Sequence, residues 1–491
     1  MQGTPTASEG TKLGFASKFF YGAGDIFGGG AMVVVGVFFL FFMTEVAHLD
    51  PALAGLVLLI GKIWDAVNDP LMGYLSDRTR SRFGRRRVYF LAGIVPIVLT
   101  FTLLWTVPPT SSQWALFAYF VVLSILFDSV LTMVMVPYSA LIQEMTLDYN
   151  ERSALTGWRM AFSNFSSLVS AAVPMFIVSS FADVTTGYRM MGLVFGLFFA
   201  LPWVGVFAFT RERYQGEPPA AGHSSVGPGS VPLGRGFTLL TDARDALANR
   251  SFRMLIGVYL LTFLAMDVIS AVMMYFMTYV VCRPNDVSLV LGLLLLFQLA
   301  ALPLFVRIAG RWGKRVAFFG GAALWFLSLP WLFAVGPATP PWLLYLLAAL
   351  LGVATSGAAF APWAMFPDVL DVDEAVTGRR RQGVYSGVMT FLRKVSTAVA
   401  VFVVGWVIDA SGYVPGVAAS AAFVTAVRVL VALAPLLAVA VAMWFAWRFP
   451  ITPTLHAVVR EELTGSAGGT PVSAALYGPG SLPQGRGVTP R

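Results

Sequence analysis

The stretch KIWDAVNDPLMGYLSDRTRSRFGRRR, residues 62–87, contains two features that decide the fold. It begins inside a long apolar run and ends in a cluster of arginines, a pattern typical of a membrane-spanning helix that reaches the cytoplasmic face. The apolar part nevertheless carries Asp65 and Asp69. Because a carboxylate inside a bilayer costs on the order of 3 kcal/mol, acids at such positions indicate a functional site.

The composition of the whole chain is that of an integral membrane protein. Of its 491 residues, 57% are hydrophobic and 12% are charged, and the mean hydropathy is +0.75. A soluble domain has roughly 25% charged residues. Apolar runs close to the ~20 residues that cross a bilayer recur along the chain, and they are far longer than the ~10-residue strands of a membrane barrel. The predicted spans begin near residues 17, 51, 88, 114, 153, 188, 252, 287, 315, 341, 382 and 425. The sequence therefore predicts an all-α integral membrane protein with twelve transmembrane helices.

Basic residues fall in alternate loops, and this alternation sets the expected orientation. Clusters of arginine and lysine at 78–87, 211–216, 307–315 and 378–382 alternate with loops that carry few of them. Such clusters stay on the cytoplasmic side, so we expect both termini there, in a multi-pass protein of the cell membrane. The net charge of +8 follows from this topology, and we expect no nucleic-acid partner.

A segment rich in Gly, Pro and Ser, residues 216–236, lies between the sixth and seventh predicted spans. Its composition is that of a linker that does not pack into a core. The loop sequence FGRRR (83–87) has a weaker counterpart in GRWGKR (310–315), which indicates a duplicated transporter of two six-helix bundles. The predicted segments are a cytoplasmic N-terminus (1–16), a first six-helix bundle (17–210), a cytoplasmic central loop (211–250), a second six-helix bundle (251–449) and a cytoplasmic, disordered tail (450–491).

Three polar side chains of the second span share one helical face. Asp65, Asn68 and Asp69 stand at positions i, i+3 and i+4, which lie within a single turn. Hard cations bind oxygen ligands of this kind, so the face is a candidate cation site. Asp69 could instead only cap the helix or form a bridge near its cytoplasmic end. Two close carboxylates repel each other unless a cation or a basic side chain lies between them.

Other charges inside the predicted spans need partners too. Lys394 lies deep in the eleventh span, and the two acids of the second span are its obvious partner, either as a structural counter-ion or in a coupling role. Its neighbour Arg393 points about 100° away around the helix. Asp25 and Arg159 could grip a hydroxyl-rich or zwitterionic solute together, or could form a structural bridge.

Four stretches together resemble one transporter family. They are YGAGD (21–25), WDAVNDPLMGYLSDRTRSRFGRRR (64–87), VPYSALIQEMTLDYNERSALTGWRM (136–160) and DVLDVDEAVTGRRRQGVYSG (368–387). The sequence resembles the glycoside–pentoside–hexuronide:cation symporters of the major facilitator superfamily, the melibiose-permease type. The resemblance implies the major facilitator fold, with a solute site between the two bundles.

The family pattern implies roles for individual residues. The matching residues are Asp65, Asn68, Asp69 and Thr132 for the cation, Lys394 with Thr390 for coupling, and Asp25 with Arg159 for the solute. We add Trp158, the neighbour of Arg159, to the solute site. The sequence departs from the pattern at Met135 and Ser139, where the family has an acid and an aromatic residue. Asp128, two turns before Met135 on the same face, could substitute for that acid or could modulate the cation site.

The basic loop after the second span allows three interpretations. Its charge could reflect topology alone, or it could bind anionic lipid head groups. In the third interpretation the loop forms a cytoplasmic gate with acids of the tenth span. The predicted gating residues are Asp77, Arg78, Arg85, Asp368 and Asp371.

The expected function is cation-coupled symport of a small solute, a sugar or glycoside, by alternating access. The coupling ion would be sodium or a proton, and we expect no cofactor, membrane lipids as surroundings and a monomeric protein. A carrier of lysophospholipids or other amphipathic solutes is the alternative, since Met135 makes the cavity more apolar. A polytopic enzyme is another class, but His48, His223 and His456 lie in loops or the tail, and the single cysteine, Cys282, joins no metal cluster. A channel would need a selectivity filter, which the sequence does not resemble.

Overall fold

Twelve helices long and apolar enough to cross a membrane make up most of the described chain. The computed structural model describes residues 13–146, 148–212, 244, 246–378, 381–415, 417 and 419–463. The helices are α1 Phe15–Phe39, α2 Pro51–Arg78, α3 Arg87–Leu104, α4 Gln113–Met145, α5 Glu151–Ser179, α6 Val184–Phe209, α7 Arg250–Val280, α8 Pro284–Trp312, α9 Lys314–Ala334, α10 Pro341–Thr377, α11 Gln382–Ala410 and α12 Ala421–Arg448. The predicted fold class and number of spans are confirmed.

Helices α1–α6 form one bundle and α7–α12 form the second. Most of the predicted central loop, and the tail beyond residue 463, lie outside the described residues. The tail prediction needs one correction, because a further helix, α13 (Pro453–Leu463), follows α12 and packs against α10. Its buried Val459 and the hydrogen bond between the His456 ring and Asp371 give this polar segment a docked face.

Side-chain caps fix where several helices begin. The carboxylate of Asp183 accepts hydrogen bonds from the backbone N–H groups of Thr185 and Thr186 at the start of α6, and Asn249 caps α7 in the same way. The Thr186 hydroxyl and these backbone groups hold the pKa of Asp183 below its usual value. Such caps satisfy donors that would otherwise be unpaired at a helix start.

The two bundles pack against each other through α2 with α11, α5 with α8, and α1 with α7. We call the end that carries residues 79–86 and 313 the basic end, and the end that carries residues 47–50 and 411–415 the opposite end. At the opposite end a Cβ on Gly405 would lie 2.6 Å from the backbone oxygen of Pro51, and one on Gly55 would lie 3.1 Å from that of Phe402. Backbone meets backbone there, so the bundles are in close contact at the opposite end.

We expect Gly405→Val to lower the apparent melting temperature of the detergent-purified protein, because the added side chain meets backbone that cannot rotate away. Overpacking of this kind costs about 1–3 kcal/mol. Gly387→Val is the matched control, since Gly387 lies on the same helix and its Cβ would have no atom within 4 Å. Equal melting temperatures for the two variants would show that this contact does not hold the bundles together.

Candidate functional site

The acids of α2 face the place where α2, α4 and α11 meet. Asp65 and Asn68 are buried, and Asp69 is partly buried one turn after Asp65. Thr132 of α4 lies opposite them, with its hydroxyl oxygen 3.1 Å from Asp69 Oδ1 and 3.3 Å from Asp65 Oδ1. The structure therefore brings all four predicted cation ligands onto one small surface. Pro70 follows inside α2 and cannot donate a backbone hydrogen bond, which leaves a carbonyl oxygen of the preceding turn without its helical donor.

Lys394 of α11 places its ammonium between the two acids. Its Nζ lies 2.6 Å from Asp69 Oδ2 and 3.0 Å from Asp65 Oδ2, and it also donates to the backbone oxygen of Asp65 at 3.2 Å. This contact joins the second bundle to the first in the middle of the protein. Thr390, the predicted companion, lies one turn before Lys394 and is half-buried.

The side-chain amide of Asn68, one of the four predicted cation ligands, does not have all of its hydrogen bonds. Its Nδ2 is buried and has no hydrogen-bond partner among the described residues. The oxygen and nitrogen of an amide are assigned from the surrounding hydrogen bonds, so a flipped Asn68 would present an oxygen at the same place. An oxygen with no donor partner is available to a bound cation.

Asp128 lies with a second lysine. Its Oδ1 is 3.7 Å from Lys62 Nζ, and a Cβ on Gly61 would lie only 3.1 Å from its Oδ2, so the small residue lets α4 approach α2. Lys62 is one turn before Asp65, and Asp128 is one turn before Thr132. Of the two roles considered for Asp128, this position favours an influence on the cation site.

The neighbour of Lys394 has a partner that the sequence did not identify. The Arg393 guanidinium forms two hydrogen bonds to Asp267 of α7, at 2.5 and 2.8 Å, and it also donates to the Thr397 hydroxyl. Its central carbon lies 4.9 Å from the centre of the Phe263 ring. The sequence predicted the direction in which Arg393 points around α11, but the acid that Arg393 reaches depends on how α7 packs.

These charges interact as one group near the middle of the bundles. The group comprises Asp65, Asp69, Asp128 and Asp267 with Lys62, Lys394 and Arg393. Four carboxylates and three basic side chains carry a net charge of −1 when all are ionised. A surplus charge is costly in an environment of low dielectric constant, so the group favours one additional monovalent cation.

The predicted solute residues form a separate pair. Nε and Nη2 of Arg159 each lie 3.2 Å from Asp25 Oδ1, and the guanidinium carbon lies 4.9 Å from the centre of the Tyr138 ring. The methyl group of Met135 lies beside Gly28, whose Cβ would also lie 3.2 Å from the Asp25 carboxylate. An apolar methionine therefore stands next to Asp25, where the family pattern has a second acid.

Trp158 takes part in packing. Its ring lies 5.6 Å from that of Phe15, 5.9 Å from that of Phe19 and 6.2 Å from that of Phe162, and a Cβ on Gly22 would lie 2.8 Å from its Cβ. These contacts join α5 to α1. A contact between Trp158 and a solute remains a prediction.

The chain is similar to known transporters over most of its length. Residues 20–453 match the family described as MFS/sugar transport protein. An uncharacterised symporter of Synechocystis is 32% identical over 92% of this chain and 97% of its own length. A protein named as a glycoside/cation symporter in Escherichia coli is 30% identical over 82% and 84% of the two chains. A sodium-dependent lysophosphatidylcholine symporter of Danio rerio is 25% identical over 85% and 82%.

The comparison with solved structures supports the same overall fold. A solved D-xylose–proton symporter covers 89% of this chain and 98% of its own, with a TM-score of 0.59 and 17% identity.

The chain belongs to the MFS/sugar transport protein family. It is a membrane transporter of the glycoside–pentoside–hexuronide:cation symporter type, not an enzyme.

The predicted gate residues of the transporter's first bundle pair within that bundle. Arg86 donates to Asp77 at 3.0 Å, and Arg85 donates to Glu144 of α4 at 2.6 Å. Arg78 lies over the Tyr74 ring at 4.0 Å. Although burial lowers it, the hydrogen bond and charge of Glu144 together raise the pKa of Arg85 above its ordinary value.

The predicted gate residues of the second bundle also have partners of their own. Asp368 pairs with Lys314 at 2.6 Å, and Asp371 lies 2.9 Å from the His456 ring of α13. The predicted gate, in which Asp77 with Arg78 or Arg85 joins these acids, is therefore not formed in this conformation. The predicted gate residues pair instead with residues that lie closer to them, and the sequence could not show which residues those are.

A cluster at the opposite end was missed from the sequence. Glu45, in the π-helical turn Phe42–Val46 that follows α1, accepts hydrogen bonds from the hydroxyl groups of Tyr279, at 2.7 Å, and Tyr413. The Thr44 and Tyr275 hydroxyls lie 2.5 Å apart beside it. Both tyrosine contacts of Glu45 cross between the bundles, so this cluster closes the opposite end.

We expect Arg85→Gln to lower the apparent melting temperature, because it removes one of two guanidinium groups that compensate the buried Glu144 carboxylate. Arg78→Gln is the control, since Arg78 only stacks on an exposed tyrosine, and it should leave the melting temperature unchanged. The opposite order of effects would contradict the structural role of Arg85. Breaking a buried pair costs about 3–5 kcal/mol, and partial exposure of Arg85 reduces this cost.

Proposed function

We propose that this transporter couples the uptake of a small hydroxylated solute, a sugar or glycoside, to a monovalent cation. The observation that carries the proposal is the convergence of two carboxylates and a threonine hydroxyl of the first bundle around an ammonium group of the second. The cation, sodium or a proton, would bind Asp65 and Asp69, with Thr132 and Asn68 as further oxygen ligands.

The ammonium of Lys394 occupies the position that a cation would take. It has one positive charge and lies at hydrogen-bond distance from both acids. A sodium ion bound to the same oxygens would displace it, and protonation of either acid would weaken its hold. One bound cation would also bring the net charge of the central group from −1 to zero, which supports a stoichiometry of one monovalent cation.

Displacement of Lys394 supplies a mechanism of coupling. The acids belong to α2 of the first bundle and the ammonium to α11 of the second, so cation binding removes a contact between bundles. A ligand shifts a conformational equilibrium when it changes contacts that differ between the two states. By linkage, a solute that favours the same state raises the affinity for the cation by an equal factor.

Alternating access needs closures that open in turn. The Glu45 cluster and the glycine contact of Gly405 with Pro51 supply one closure, at the opposite end. The basic loops lie at the other end, and by the positive-inside rule their charge supports a cytoplasmic position for that end and for both termini. We infer that this conformation is closed toward the outside. Tyrosine–carboxylate hydrogen bonds suit such a role, because water replaces them at modest net cost.

A lysophospholipid carrier is the second candidate for the solute. Two observations favour it, namely the sodium-dependent lysophosphatidylcholine symporter among the relatives and the apolar Met135 beside Asp25. A thermal-shift screen with glycosides and lysophospholipids, with and without sodium, separates the candidates, because a ligand of the folded protein raises its melting temperature.

We expect Asp65→Asn and Asp69→Asn to abolish cation-driven uptake in proteoliposomes under an imposed sodium or proton gradient. Each variant removes a negative charge that the cation needs. Asp50→Asn, an exposed acid at the start of the same helix, is the control and should transport normally. Full cation dependence in either test variant would disprove the assignment of the site.

We expect Lys394→Met to increase the rise in melting temperature that sodium produces, because the ion no longer competes with an ammonium. Lys18→Met is the matched control, since Lys18 pairs with Glu151 at the basic end of α1. Choline chloride corrects for ionic strength, and the same series with lithium and over a range of pH identifies the coupling ion. A sodium response equal to that of the unmodified protein would contradict the displacement of Lys394.

A further inference from the structure

The two bundles carry a short repeat at matching positions. FMTEV (42–46) follows α1 and FMTYV (276–280) ends α7, and both adopt wider π-helical turns. The two motifs are 234 residues apart, and their fourth residues, Glu45 and Tyr279, are in contact with each other. Residues that are equivalent in a duplicated chain meet in this way at its pseudo-twofold axis.

The same separation of 234 residues relates Arg159 of α5 to Arg393 of α11. Each arginine is paired with an aspartate of the first helix of its own bundle. Arg159 pairs with Asp25 of α1 at 3.2 Å, and Arg393 pairs with Asp267 of α7 at 2.5 Å. The two pairs are therefore counterparts in helix position and in chemistry, although their aspartates do not follow the same spacing.

Their surroundings match as well. Each guanidinium carbon lies 4.9 Å from the centre of an aromatic ring, Tyr138 in the first bundle and Phe263 in the second. Each pair is partly exposed, with 29% of the Arg159 side chain and 22% of the Arg393 side chain accessible. A pair that served only to bridge helices would gain nothing from this access.

We propose that Asp267 and Arg393 form a second solute-binding half-site, the counterpart of Asp25 and Arg159 in the other bundle. The inference rests on the proposed function, because it takes Asp25 and Arg159 to bind the solute. Arg393 has five N–H donors, of which the hydrogen bonds to Asp267 and Thr397 use three, so it retains donors for a ligand. The solute is then held from both bundles at once.

The chemistry of the pairs defines the class of solute. A hydroxyl group both donates and accepts hydrogen bonds, so it can bind a carboxylate oxygen and a guanidinium N–H in turn. Each pair is neutral, and the central group becomes neutral when one monovalent cation binds. An uncharged polyhydroxylated solute preserves that neutrality, whereas a sulfonated or carboxylated sugar adds an uncompensated negative charge beside Asp267. The half-site therefore selects uncharged glycosides.

The test variant is the double substitution Asp267→Asn with Arg393→Gln, which removes both charges and leaves no buried ion unpaired. The matched control is Lys18→Gln with Glu151→Gln, which removes an ion pair between α1 and α5 at the basic end. Both proteins are purified at full length and titrated in sodium with lactose, methyl glucoside and sulfoquinovose, and melting temperature and uptake are recorded.

We expect a neutral glycoside to bind the unmodified protein, and the test variant to need about tenfold more of it, the loss that goes with one charge-assisted hydrogen bond. The sodium response without solute should persist in the test variant, and the control should bind the glycoside normally. Arg393→Lys, which keeps the charge but not the planar fork, should give an intermediate loss.

Three results would overturn the half-site. They are unchanged glycoside affinity in the test variant, binding of sulfoquinovose in preference to the neutral sugars, and no binding of any neutral glycoside to the unmodified protein that still responds to sodium. The third result would also contradict a glycoside as the solute, whereas failure of the proposed cation coupling differs from all three, because the unmodified protein would then show no response to sodium, lithium or pH.

Discussion

The contact on which the central structure depends is the one between the Lys394 ammonium and the carboxylates of Asp65 and Asp69. Two negative charges one helical turn apart repel each other strongly where water is scarce. A positive charge between them removes the repulsion, and the sequence provides it from the other bundle. The same arrangement that stabilises the acids therefore joins the two bundles, and on the proposed function its strength depends on which cation is present.

The remaining contacts between the bundles differ in kind from this one. At the opposite end, close backbone approach at Gly405 and the hydroxyl groups around Glu45 hold the bundles together, and the residues described there form no ion pair between lysine or arginine and an acid across the bundles. Hydrogen bonds of this type exchange with water at small net cost, whereas in the proposed mechanism the central contact exchanges with a cation. One bound ion can thus alter the balance between two arrangements whose other contacts are individually weak.

On the proposed function, charge balance links the cation site to the solute. The central group of four carboxylates and three basic side chains lacks one positive charge when all are ionised, and both Asp–Arg pairs are then neutral on their own. Cation binding corrects the deficit without help from the solute. A solute that adds no charge therefore suits the loaded state, and this requirement comes from the transporter's own residues.

The sequence by itself determined the twelve spans, the shared face of Asp65 and Asp69, and the need of Lys394 for an acidic partner. These follow from bilayer thickness, helical periodicity and the cost of buried charge, all of which act locally along the chain. Only the tertiary structure decided that Arg393 reaches Asp267 and that the acids predicted to form a gate pair elsewhere, with α13 docked beside them. The physical reason is that each charged residue has several possible partners of opposite charge, which the local sequence does not distinguish. The packing of helices far apart in sequence selects the partner that is used.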